Sequence, residues 1–206
     1  MIDTRASLLI VLSAPSGGGK TTLCQQLLAR HSEMDRAVTC TTRPPRPGER
    51  DGVDYYFLTP AAFQSRVDAG GFLEHATVYG NFYGTPKSEA LDKLRNGRDV
   101  LLAIDVQGAA SVCAQASRDA ELSRSLVTVF LTPASGDVLA ERLRRRGANT
   151  PEDLHRRLDL ARHEIEQWKH FDYLILSTSV EEDLRRMETV LAAERMRRPH
   201  VVAPWQ

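Results

Sequence analysis

The residues of this chain best suited to bind and activate an anion lie together, where three consecutive glycines run into Lys20, Thr21 and Thr22. Gly17, Gly18 and Gly19 let the backbone adopt φ > 0 and turn successive N–H groups toward one point, a geometry that holds phosphate. Lys20 adds a point charge for β- and γ-phosphates, and the Thr21 hydroxyl is a hard oxygen ligand for Mg²⁺. The pattern G-x-x-x-x-G-K-[ST] asks for glycine at position 14, where this chain has Ala14. Only a position with φ > 0 needs glycine, so alanine fits there with φ negative.

Such a loop has to be placed by a strand before it and a helix after it. Leu8 to Leu12 is an unbroken apolar run of the kind that forms a buried parallel strand. Thr21 to Arg30 carries Leu23, Leu27 and Leu28 on one side of an amphipathic helix, whose positive end would face the anion.

At 206 residues the chain has room for one well-buried α/β core with small insertions, and too little for two domains of ordinary size. Its 27 Lys and Arg balance 27 Asp and Glu, so no global field draws in nucleic acid or an anionic membrane, and neither is expected as a partner. Anion binding has to be local. Arg43, Arg46 and Arg50 fall in one Pro- and Gly-rich stretch and Arg142, Arg144, Arg145 and Arg146 in another, though such clusters alone read as solvated faces. Cys24, Cys40 and Cys113 are scattered and lack C-x-x-C spacing, which argues against a disulfide framework or a zinc site. With apolar runs no longer than a strand and no signal-type segment before the loop, a cytoplasmic protein is expected.

Downstream, Arg36 to Thr42 is β-prone and meets Arg43-Pro-Pro-Arg-Pro-Gly48, which no regular element accommodates. Tyr55 to Leu58 reads as a strand, Thr59-Pro60 as the start of a helix ending at Gly70-Gly71, Phe72 to Val78 as a strand and Tyr79 to Gly84 as a turn. This block lacks a βα rhythm and reads as an inserted lobe. Alternation returns with a helix from Lys87, a buried strand Asp99 to Ile104, a helix from Gly108 and a strand Leu126 to Leu131. Helices from Ser135 to Arg146 and from Thr150-Pro151, a strand Tyr173 to Leu176 and a helix Glu181 to Arg198 complete it. The expected fold is α/β with a doubly wound parallel sheet.

Further motifs narrow the reading. A-P-S-G-G-G-K-T-T at Ala14 to Thr22 is followed by T-T-R-P-P-R-P-G-E at Thr41 to Glu49, D-G-V-D-Y-Y-F at Asp51 to Phe57 and F-L-E at Phe72 to Glu74. Y-G-N-F-Y-G-T at Tyr79 to Thr85 and I-D-V-Q-G at Ile104 to Gly108 come next. In this order the blocks resemble the guanylate kinases, from Leu8 to about Arg195. The resemblance implies one domain over 1–206. Its P-loop NTPase core would be 1–38, 89–136 and 168–206, with an inserted small α+β GMP-binding lobe at 39–88 and a helical lid at 137–167. It implies ATP-dependent phosphorylation of GMP, and of dGMP, with Mg²⁺ accompanying ATP. The substrates are small molecules, and a homo-oligomer is left open.

Residue by residue, the resemblance assigns the ATP phosphates to Ser16, Gly17, Gly18, Gly19, Lys20, Thr21 and Thr22, with Thr21 also on the metal. Arg43 and Arg46 match the acceptor-phosphate arginines, with Tyr55 and Tyr83 as phenolic donors. Glu74, Thr39, Thr85 and Asp105 match the guanine pocket. Arg142, Arg146 and Arg157 match lid arginines that close over ATP, and with Lys20 and Arg43 they make up the catalytic set. Arg144, Arg145 and Arg156 have no such match and read as solvated.

The chemistry agrees with these types. The nucleophile, a phosphate oxygen of GMP, is already largely dianionic at neutral pH and needs no general base. The obstacle is repulsion between two polyanions, which calls for cations aimed at both. Arginine's planar fork gives two hydrogen bonds to phosphate, and Arg142 and Arg146 lie one helical turn apart. A Glu carboxylate only accepts hydrogen bonds, matching the N1–H and 2-amino donors of guanine, whereas adenine offers a lone pair at N1. Asp105 also ends a buried strand, where a carboxylate can act on Mg²⁺ through water. Besides Ala14, two positions depart from the family pattern: Ala103 stands where a second carboxylate is common, and Ser177 replaces an Asn near the adenine ring. Two other readings remain at this point, a non-catalytic protein-binding module of the same fold and a sibling kinase for a phosphorylated sugar. Retention of Gly19, Lys20 and Thr21 weighs against the first, and Glu74 with Tyr83-Gly84-Thr85 against the second.

Overall fold

The computed structural model describes residues 7–78, 80–145 and 150–197. In chain order the elements are β1 (Leu9–Ser13), α1 (Lys20–Arg30), β2 (Met34–Arg36), β3 (Cys40–Thr41), β4 (Tyr56–Phe57), α2 (Pro60–Asp68), β5 (Phe72–Val78), β6 (Asn81–Pro86) and α3 (Lys87–Arg95). There follow β7 (Asp99–Ala103), α4 (Val106–Ala116), α5 (Ala120–Ser125), β8 (Leu126–Pro133), α6 (Gly136–Arg145), α7 (Pro151–Ile165), a 3₁₀ turn (Glu166–His170), β9 (Tyr173–Ser177) and α8 (Val180–Glu194).

The larger sheet has the order β2-β7-β1-β8-β9 and every pairing in it is parallel. β1 is buried along its length, as its unbroken apolar run requires of a central strand. Its side chains alternate between two helical layers. Leu8, Ile10 and Leu12 pack with Leu23 and Leu27 of α1 and with Leu184, Met187 and Leu191 of α8. Leu9 and Val11 pack with Ala90 and Leu94 of α3 and with Ala109 and Val112 of α4. This is the doubly wound architecture expected, with the phosphate loop leaving the sheet at the C-terminal end of its middle strand. Under the sheet, fully buried Asp99 accepts from the Leu8 N–H at 2.9 Å and pairs with Arg195 at 2.9 Å, tying β7 to the entry of β1 and the end of α8.

Between β2 and β7 the chain builds a second sheet of order β4-β3-β6-β5. Its pairs are antiparallel except β3 with β4. Phe63 of α2 stacks on Phe72 at 4.6 Å and on Phe82 at 5.4 Å, giving this sheet its own small core with Cys40. The reading of Tyr79 to Gly84 as a turn needs correction, because Asn81 onward is β6. Val78 pairs with Asn81, and the reversal uses Gly80 at φ 77°. Gly and Asn signal turns whether they stand at a hairpin apex or within a short strand, and Gly84 is the second case. α4 starts at Val106, ahead of Gly108, because Asp105 caps it by accepting from the Gly108 N–H at 2.8 Å. α6 and α7 pack through Leu139, Leu143 and Ala161. Thr150 caps α7 and Pro151 opens it, as its sequence predicts. Among the described residues no helix is long and apolar enough to cross a membrane.

Candidate active site

The phosphate loop is shaped by two requirements that only glycine meets. Gly19, the N-cap of α1, sits at φ 103°. Gly18 donates to the Pro15 carbonyl at 2.8 Å, and a Cβ there would lie 2.9 Å from both Ala14 Cβ and Pro15 O. Ala14 itself is buried with Leu12 and Leu23 in the main core. Lys20 Nζ donates to the Ile104 carbonyl at the end of β7, 2.7 Å away. Burial pushes its ammonium below the ordinary value of 10.5, opposed by the charges of Asp105, Cys24 and Glu164. The Ser16 N–H is held by a carboxylate from far along the chain, Glu164 Oε2 of α7 at 3.1 Å. Burial raises the pKa of that carboxyl.

On one side of the loop lies a cavity lined by Gly17, Gly19, Thr22, Arg142, Ser177 and Asp183. Arg142 donates to the Gly18 carbonyl at 3.3 Å and to Ser177 Oγ at 3.2 Å. The Ser177 hydroxyl in turn donates to Asp183 at 2.6 Å. Ser177 thus joins Arg142 of α6 to the start of α8.

On the other side a second cavity brings Thr21, in the first turn of α1, together with Thr39, Tyr55 and Thr85 of the inserted segment. Ala103 lines it too. Buried Glu74 on β5 accepts from Thr85 Oγ1 at 2.6 Å. Desolvation, with the Asp105 charge adding to it, raises the Glu74 pKa above its ordinary 4.5. Gly108 marks how closely these groups approach: a Cβ there would be 3.4 Å from Glu74 Oε2 and 3.4 Å from Asp105 Oδ1. β5 of the small sheet is therefore pressed against the N-terminus of α4.

Arg43, Tyr55 and Tyr83 also converge. The Arg43 guanidinium lies 5.5 Å from the Tyr55 ring centroid, and the Tyr55 and Tyr83 rings meet edge to face at 6.1 Å. Arg46, three residues on, is exposed in the same loop. Arg157 is not brought to the phosphate loop; its Nε pairs with Asp153 of its own helix at 2.9 Å. Arg146 lies outside the described residues. Arg144, Arg145 and Arg156 are exposed, though Arg145 also lines the cavity beside Arg142 and Ser177. Three charged residues at the site went unread in the sequence: Glu164, Glu49 and Asp183. Each works through its neighbours in space, and only Glu49 sits inside a motif.

A Gly-Lys-Thr loop at the end of a central parallel strand, with Arg142 of α6 bonded to it and a cavity beside it shared with the inserted segment, defines a P-loop phosphotransferase. A family model described as guanylate kinase matches residues 6–194. Guanylate kinase of Novosphingobium aromaticivorans is 44% identical over 94% of this chain and 85% of the relative. That of Paramagnetospirillum magneticum is 41% identical over 97% of this chain and 90% of the relative. The crystal structure of guanylate kinase from Anaplasma phagocytophilum superposes with a TM-score of 0.72 at 33% identity, covering 97% of this chain and 92% of that one. The chain belongs to the guanylate kinase family, P-loop enzymes that phosphorylate GMP with ATP.

Proposed function

We propose that this chain transfers the γ-phosphoryl group of ATP to GMP, and to dGMP, through the residues gathered around the phosphate loop. The observation that carries this reading is the cavity shared by Thr21 of the loop helix and by Thr39, Tyr55 and Thr85 of the inserted segment, because donor and acceptor must meet there. GMP enters with its base toward Glu74, which accepts from N1–H and the 2-amino group while Thr85 holds the carboxylate in place. Arg43 and Arg46, with Tyr55 and Tyr83, take the acceptor phosphate. ATP lies along the loop N–H groups with its base toward Ser177 and Asp183, and Lys20 exchanges the Ile104 carbonyl for the β- and γ-phosphates.

The donor set fits Mg²⁺ arriving with ATP. Thr21 is exposed at the mouth of the shared cavity and Asp105 is exposed at the end of β7, two hard oxygen groups beside the loop. When bound, that ion neutralises charge on the β- and γ-oxygens. Residues 39–88 act as the GMP-binding lobe and 137–167 as a lid. Its closure carries Arg142, Arg146 and Arg157 over the transferring phosphoryl group, excluding water. No residue has to remove a proton, since the attacking oxygen is already ionised. The cytoplasm, where ATP is abundant and thiols stay reduced, suits the three free cysteines.

ADP release measured by a coupled assay with GMP, dGMP, AMP, UMP and ribose phosphates tests the proposal. Turnover with GMP and dGMP and little with the others is expected; preference for a sugar phosphate, or none with any acceptor, overturns it.

A further inference from the structure

The loop that joins β3 to β4 holds a carboxylate in the middle of its arginines. Arg43 NH2 donates to both oxygens of Glu49, at 2.9 and 3.0 Å. The same carboxylate accepts the Arg46 backbone N–H at 2.7 Å, while the Glu49 N–H closes back on the Arg46 carbonyl at 3.0 Å, with Gly48 at φ 88° between them. Residue 46 is therefore gripped at both its main-chain groups by residue 49. The Arg43 side chain is 14% exposed and that of Glu49 20%, so this is not a loose surface pair. Arg43 NH1 donates to Pro44 O at 2.6 Å, and the Tyr55 ring lies 5.5 Å from the guanidinium. Only one guanidinium nitrogen serves Glu49. Among the described residues, Nε–H and one hydrogen of NH1, of the five N–H groups, remain for another anion.

A carboxylate beside an anion site has two opposed effects. Its charge repels an incoming phosphate. Its hydrogen bonds fix an otherwise mobile arginine in one rotamer before the phosphate arrives, so that the ordering cost is not taken from binding. Here the second effect is unusually complete: Glu49 holds the side chain of one expected phosphate ligand and the backbone of the other.

We propose that Glu49 is a positioning residue for the acceptor phosphate, pre-orienting Arg43 so that its free N–H groups face the phosphate of GMP. This rests on Arg43 being a ligand of that phosphate. Net repulsion predicts that neutralising Glu49 tightens GMP, whereas positioning predicts the reverse, so the sign of the effect decides between them.

The test compares wild type, Glu49→Gln, Arg43→Ala and the double variant in steady-state kinetics, with guanosine as a competitive probe that has the base and no phosphate. Glu49→Gln should raise KM for GMP about tenfold, leave kcat and the KM for ATP within about twofold, and leave the inhibition constant of guanosine unchanged. On the Arg43→Ala background the same change should add less than about twofold. An unchanged or lowered KM for GMP overturns the proposal. So does equal weakening of GMP and guanosine, which would reflect damage to the lobe, and so do additive effects in the double variant. If Arg43→Ala itself leaves KM for GMP unaltered, the assignment beneath the proposal fails instead.

Discussion

Glu74 is asked to stay ionised in a place where burial favours the neutral acid. Desolvation raises its pKa above 4.5, and the unfolded chain has no such constraint. Below pH 4.5 both states hold the proton and the group is neutral to stability; as pH rises through the folded pKa, the folded state alone bears a desolvated charge. Glu74→Gln should therefore raise Tm at neutral pH and lose that advantage in acid, which thermal melts at several pH values would read. Function should move the other way. A carboxylate facing adenine N1 meets a lone pair, a mismatch able to support discrimination of about 10⁴-fold. The amide donates as well as accepts, so kcat/KM for GMP should fall while that for AMP holds level or rises. An unchanged GMP/AMP ratio would remove Glu74 from the guanine site. Lys20 differs in kind, since its ammonium donates to a backbone carbonyl 2.7 Å away. Lys20→Ala should lower kcat by about 10² to 10³ with little change in GMP binding, measured side by side by turnover and calorimetry.

At the scale of elements, α6 and α7 form a pair held by Leu139, Leu143 and Ala161. Arg142 already touches the loop while Arg157 is folded back on Asp153. Bringing Arg157 to the phosphates requires α7 to swing or the Asp153 pair to break, so a saturating bisubstrate analogue should reduce the radius of gyration in solution scattering. An identical profile with and without analogue would count against the swing. Most helices and the central strands were legible because each writes a local signal, such as the apolar run of β1 and the Thr-Pro starts of α2 and α7, though α5 went unread and the β-prone stretch Arg36 to Thr42 divides between β2 and β3 of different sheets. β6 was not legible, since Asn81, Gly84 and Pro86 are poor strand formers that depend on pairing with β5 and β3. Thr21, Thr39, Tyr55 and Thr85, each singled out by a motif, line one cavity. Glu164 was invisible to the motifs, because no local period links a carboxylate on α7 to a loop 148 residues earlier.

For the whole molecule, the inserted sheet hangs on a core tied at one end by the Asp99–Arg195 ion pair. Asp99 is fully buried and joins the first strand, the seventh and the last helix. Asp99→Ala leaves the Leu8 N–H and the Arg195 guanidinium without that partner and should cost roughly 3–5 kcal/mol, a large share of a typical domain's stability. Urea denaturation would measure it; a loss under about 1 kcal/mol would show that the tie is dispensable. The Glu164 contact reaches as far in space and has another kind of consequence. With its carboxylate on the Ser16 N–H, the loop meets ATP as a seat already taken by an anion, so observed donor affinity is a difference between two occupants of one site. Glu164→Gln keeps an oxygen for the N–H and removes the rival charge, and should tighten ATP several-fold in calorimetry with GMP affinity unmoved. Weaker or unchanged ATP binding would mean that sitting tenant and guest occupy the loop together.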